Sequence, residues 1–125
     1  MPGSSLKTAK ANGKTNLFRA SWVADYPDSQ NYLSLFYSKN FAPNGPNYTH
    51  FKNENFDNLY ESTFLETNDS IRNEIYKKLD KIIIYEAPIV VLFYDEAIRF
   101  VRSNVTNLGS NPINLLNLKR VKKSQ

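Results

Sequence analysis

The sequence predicts an α/β domain: a mixed sheet of about three strands with three to four helices. Three observations lead there. Apolar residues recur at helical spacing from Ile71 to Ile83, one stripe along a helix. Ile89 to Tyr94 is an unbroken apolar run of strand length, the pattern of a strand buried on both faces. Leu17 to Val23 mixes apolar, small and β-compatible residues ahead of a proline turn and a second helical repeat, which reads as strand, turn, helix.

In chain order, Ser4 or Ser5 is placed to cap a short helix through Leu6, Ala9 and Ala11, with Asn12-Gly13 as its stop. The 17–23 strand follows. Asp25-Tyr26-Pro27-Asp28 is the turn, because Pro27 fixes its own φ and biases Tyr26 away from the helical region. Tyr32, Leu33, Leu35 and Phe36 repeat at helical spacing, with Asp28 or Ser29 to cap them. Pro43, Asn44, Gly45, Pro46 and Asn47 mark residues 39–52 as an irregular loop, pinned by Tyr48 and Phe51.

Asn53 is a suitable cap for the next helix, whose inner face carries Phe56, Leu59, Tyr60, Thr63 and Phe64. Asn68-Asp69-Ser70 ends it and caps another. This one turns Ile71, Ile75, Leu79, Ile82 and Ile83 inward, and must end near Ala87 because Pro88 follows. After the 89–94 strand, Asp95-Glu96 is expected to turn the chain into a partner strand, where Ile98 and Phe100 alternate with Arg99 and Arg102. Beyond Asn104 the chain is rich in Asn, Gly, Ser and Pro, yet Leu108, Ile113, Leu115, Leu116 and Leu118 still need cover.

The totals bound the function. At 125 residues the chain is one domain at most, and 41% apolar with 22% charged is ordinary for a globular protein. No 18-residue apolar run exists to span a membrane as a helix, and no apolar stretch follows Met1-Pro2-Gly3 to make a signal peptide. Zero cysteines exclude disulfides, thiolate nucleophiles and cysteine-type zinc sites. The net charge of +4 is matched by Lys119, Arg120, Lys122 and Lys123 alone. With no aromatic residue between them, they read as a solvated end, and no nucleic-acid partner is expected.

Catalytic patterns are missing. No glycine-rich phosphate loop, His-Glu-x-x-His or nucleophile elbow occurs, so the chain is expected not to be an enzyme and to use no cofactor. His50, the only histidine, makes a poor metal site by itself and reads as a loop residue, so no metal is expected. Asp95 and Glu96 are adjacent, and neighbours on a strand point to opposite faces, so they suit a turn better than a catalytic pair. Trp22 could wall a pocket or fill core. Asp25 could meet a cation or cap its own turn.

Several segments in register carry a resemblance. Phe-Arg-Ala-Ser-Trp-Val-Ala-Asp-Tyr-Pro-Asp at 18–28, then Asn-Tyr-Leu-Ser-Leu-Phe-Tyr-Ser, is similar to the C-terminal lobe of bacterial extracellular solute-binding proteins of the oligopeptide and dipeptide type. Asn47-Tyr48, the Asn-x-x-Phe-Asp-x-Leu of Asn53 to Leu59, Arg72 with Tyr76, and Ala87-Pro88 before an apolar run agree in order. The likeness is clearest from Leu17 to Val105. It departs at Asp28-Ser29, where the family has Asp/Glu-Pro, and at Val90-Val91-Leu92, which lacks a second proline; both blur turn or strand geometry only.

The resemblance implies a type II periplasmic-binding-protein-like partial lobe over 1–105, with a crossover tail over 106–125. It implies Asp25 on a peptide's α-ammonium, Trp22 at a side-chain pocket, and the Ala20, Ser21, Trp22, Val23 backbone paired with an extended peptide. Arg19 would lie near the peptide's carboxylate, although a strand arginine is also a common surface residue. The implied partners are a peptide, the missing lobe of the same protein and an ABC-type membrane permease. The implied location is periplasmic or cell-surface anchored, and the full-length protein is expected to be a monomer. The rival reading is a stand-alone protein–protein interaction module, with Leu108, Leu115, Leu116 and Leu118 as its docking surface.

Overall fold

The structure, a computed structural model, describes residues 3–94, 96, 98–111 and 115–125. Asp95 of the expected turn and Ile113 of the tail lie outside the described residues. In order, the elements are α1 (Gly3–Ala11), α2 (Gln30–Leu33), two 3-10 turns (Ser34–Phe36 and Ser38–Asn40), α3 (Glu54–Ser62), α4 (Asp69–Glu86), β1 (Val105–Thr106) and β2 (Lys122–Lys123).

The helices begin and end where the local chemistry requires. Asn53 is extended, and its side chain accepts the Phe56 N–H at 3.0 Å to start α3. Asn68 accepts the Ser70 and Ile71 N–H groups to start α4. Each bond satisfies a donor that the first helical turn leaves open. At the other end Ala87 takes a left-handed conformation (φ 49°) and donates to the Ile83 carbonyl, closing α4 one residue before Pro88. Gly13, also left-handed at φ 62°, ends the first helical segment as the Asn12-Gly13 pair predicts.

The core is aromatic and helical. Phe56 and Leu79 are fully buried, and Leu33, Phe36, Tyr37, Tyr60, Tyr76 and Ile83 close around them. Phe51 meets Phe36 and Phe56 edge-on, Phe56 stacks on Tyr60, and Tyr60 lies 4.9 Å from Tyr37 between centroids. Rings in such offset and edge arrangements stabilise one another beyond the area they bury. The 39–52 loop is fastened by Asn47, which is fully buried. Its side-chain amide donates to the Tyr37 and Phe51 carbonyls at 3.1 and 3.0 Å, while its carbonyl oxygen accepts the Thr49 hydroxyl. Phe51 helps to pin this loop as expected, but the central pin is an asparagine.

The sheet is smaller than the sequence predicts. It is a two-stranded antiparallel ribbon, pairing Val105 with Lys123 and Thr106 with Lys122, rather than a mixed sheet of about three strands. Residues 17–23, 89–94 and 98–102 form no strand among the described residues. Ile89 to Tyr94 instead runs exposed, with Val90 79% and Tyr94 90% accessible, and Phe100 is 99% accessible. The physical reason is pairing: a strand buried on both faces needs neighbours on its edges and cover on both sides, and the described residues offer neither.

Candidate functional site

The expected site segment is an open, extended stretch tied to the helical core at two places. Residues 18–24 carry no regular secondary structure, and Arg19, Ala20, Ser21 and Val23 are exposed. Among the described residues, no main-chain group from 17 to 25 is hydrogen-bonded within the structure. Trp22 is 38% accessible, and its indole N–H donates to the Asn31 side-chain oxygen at 2.6 Å. Asn31 itself is buried at the start of α2. That is the first tie.

The second lies just past the bend at 25–28. Asp28 accepts the Gln30 N–H at 2.8 Å and so caps α2 from two residues upstream. Its other oxygen meets the Arg72 guanidinium of α4 at 3.1 Å, and Arg72 also reaches Asp69 at 3.2 Å. The Tyr76 hydroxyl lies near enough to the same Asp28 carboxylate for Asp28 to raise its pKa. Tyr26 and Tyr60 both hydrogen-bond the Gln30 amide, which bridges the bend to α3. Of the two expected caps Asp28 acts, while the Ser29 side chain makes no capping bond.

This arrangement leaves Asp25 exposed at the bend, in sequence between Trp22 and Asp28. Arg19 lies with its guanidinium 5.9 Å from the Phe93 ring centroid, so it touches the 89–94 run rather than Asp25. The structure thus brings Trp22 and the bend together around α2 and sets Arg19 apart. His50 is left-handed (φ 53°), packs on Phe41 and bonds the Ala42 carbonyl at 3.1 Å through Nε2, a loop-fastening role. No group of three or more potential metal ligands occurs among the described residues.

Sequence reasoning missed the linking roles of Asn31 and Gln30, and noted Tyr76 only as a motif residue beside Arg72. Tyr76 was detectable, because it shares a face with Leu79 and Ile83 at i+3 and i+7. Asn31 and Gln30 look like ordinary polar residues of a helix start, and only tertiary packing makes them linkers.

The tyrosines give the site a pH signature. Burial, then the Asp28 carboxylate that the neutral hydroxyl faces as donor, pushes the Tyr76 hydroxyl up to about 12 from its usual 10. Burial pushes Tyr60 up further. Both therefore stay neutral in the fold after the unfolded chain would ionise them. Their contribution is complete below pH 10 and is lost as pH rises from 10 through 12, by about 1.4 kcal/mol per pH unit for each tyrosine. Urea midpoints should be alike at pH 8 and 9 and fall from pH 10 to 11, and Tyr76→Phe should soften the fall. An unchanged midpoint to pH 11 would refute this.

Comparison with known proteins gives a consistent picture. No family model matches the chain. A putative binding protein of Haemophilus influenzae is 38% identical over 88 residues, covering 70% of this chain and 16% of that protein. The oligopeptide-binding protein OppA of Bacillus subtilis is 34% identical over 76 residues, covering 61% and 13%. The periplasmic oligopeptide-binding protein OppA of Salmonella typhimurium is 27% identical over 110 residues, covering 87% and 20%. Among solved structures, the periplasmic murein tripeptide-binding protein MppA in its unliganded open form aligns with a TM-score of 0.62 and 27% identity, over 68% of this chain and 16% of that one. The chain spans 20% or less of each of these relatives. Motif order, sequence identity and backbone superposition agree, and the chain belongs, as a partial α/β lobe of the periplasmic-binding-protein fold, to the extracellular solute-binding proteins of the oligopeptide and dipeptide type.

Proposed function

We propose that this chain is part of the extracytoplasmic substrate-binding component of an ATP-driven peptide importer, which captures an extended peptide and catalyses no reaction. Asp25 takes the peptide's α-ammonium, Trp22 walls a side-chain pocket, and the main chain of Ala20, Ser21, Trp22 and Val23 pairs with the peptide backbone. Arg19 serves the carboxylate end. The remaining contacts come from the other lobe, and closure of the two lobes presents the loaded receptor to a membrane permease. The 1–105 segment then belongs to one lobe, with 106–125 as the crossover tail.

The observation that carries this reading is the open backbone of residues 20–23 beside an exposed carboxylate. An exposed edge with unpaired N–H and C=O groups accepts an added strand whatever its side chains, which suits a receptor of broad sequence tolerance. A carboxylate enclosed against an ammonium forms a charge-assisted bond about twice as strong as a neutral one. Names of the relatives support a peptide as ligand. Calorimetric titration of the intact polypeptide with trialanine and with N-acetyl-trialanine tests the reading. The free-amino peptide should bind the tighter by about tenfold or more; equal affinities would remove Asp25 from the ammonium site, and no binding of either would end the peptide reading.

A further inference from the structure

We propose that Asn31 is a positioning residue of this site: its buried amide fixes the plane of the Trp22 indole and so sets one wall of the ligand pocket. The inference rests on the peptide-binding reading above and adds a residue to it. Residues 17–25 make a single hydrogen bond to the rest of the described structure, from the Trp22 Nε1 to the Asn31 Oδ1 at 2.6 Å. The segment also makes two cation–ring contacts, Lys10 over Phe18 and Arg19 over Phe93.

Asn31 is well suited to act as a fixed acceptor. The residue is 3% accessible, and its backbone is held on both sides: the N–H donates to the Asp28 carbonyl at 3.1 Å and the carbonyl accepts the Ser34 hydroxyl at 2.7 Å. Leu33, two residues on, is in the core. An indole N–H can only donate, so it needs an acceptor at one place, and the acceptor dictates the ring's orientation. A half-exposed tryptophan without that bond would turn its N–H to water and sample other rotamers. Its pocket wall would then form only part of the time, and affinity would fall by the fraction of competent molecules.

The test uses the intact polypeptide and trialanine, with Trp22 emission taken as the difference from a Trp22→Phe variant. Asn31→Leu keeps the volume and removes the acceptor; Asn31→Asp keeps an acceptor oxygen. Asn31→Leu should weaken trialanine binding about two- to tenfold, the factor set by one ordinary hydrogen bond, and raise acrylamide quenching of Trp22. Asn31→Asp should restore both. In a Trp22→Phe background Asn31→Leu should add nothing, since a cycle of the two changes isolates what passes between them. The inference falls if Asn31→Leu binds like wild type, or if quenching is unchanged. It also falls if Asn31→Leu weakens binding equally without Trp22, which would mean a general effect on the fold. Wild type that binds no peptide would sink the peptide reading first, and this inference with it; wild type that binds while Asn31→Leu binds equally well would sink this inference alone.

Discussion

Replacing Asp25 by alanine is expected to weaken the binding of trialanine about ten- to a hundredfold while leaving the fold untouched. The magnitude follows from the class of interaction: a hydrogen bond to a charged partner contributes roughly 1.5–3 kcal/mol, and each 1.4 kcal/mol is a factor of ten. The indifference of the fold follows from position. Asp25 is exposed, and among the described residues it makes no hydrogen bond or ion pair that would be lost. Asp28, three residues on, is the opposite case, holding Gln30 and Arg72. The decisive control is N-acetyl-trialanine, which has no ammonium to lose. If Asp25→Ala weakens both peptides alike, the aspartate shapes the bend and does not read the charge.

The largest effect on stability is expected at Phe56. It is fully buried, stacks on Tyr60 and receives the edge of Phe51. Phe56→Ala removes its transfer free energy and leaves a cavity that the surrounding rings cannot fill, a loss of about 3–5 kcal/mol. For a chain of this size that is a large part of the whole stability. Val90→Ala should by contrast change stability by less than about 0.5 kcal/mol, because Val90 is 79% accessible. Urea denaturation of the two variants side by side checks both. Equal losses would mean that the 89–94 run packs into the core in solution.

Those two residues also show what could be read from the sequence. Phe56 belongs to a stripe with Tyr60 and Thr63, and all three are buried as the helical period requires. Asn53, Asn68 and Pro88 placed the helix ends because caps and proline act within a few residues. Val90 lies in an equally apolar run, yet a strand cannot be completed locally: its partners are far away along the chain, and period alone does not say whether they exist. The site divides the same way. Trp22, Asp25 and the bend were legible from composition and proline geometry. The Asn31 and Arg72 ties were not, since Asn31 meets a tryptophan nine residues back across the bend and Arg72 reaches Asp28 only where α2 packs on α4.

The ion cluster beside the bend has a consequence for how a ligand first arrives. Asp28 and Asp69 pair with the single guanidinium of Arg72, and Asp25, exposed and unpaired among the described residues, opens the same bend, so the bend carries more acid than base although the chain as a whole carries +4. A protein's field is set by where its charges sit, and it acts over about 8–10 Å at physiological salt. A zwitterion drifting toward this surface would feel a torque before any contact. It would be turned amine-first toward the bend. Orientation would then precede docking, and added salt would blur it.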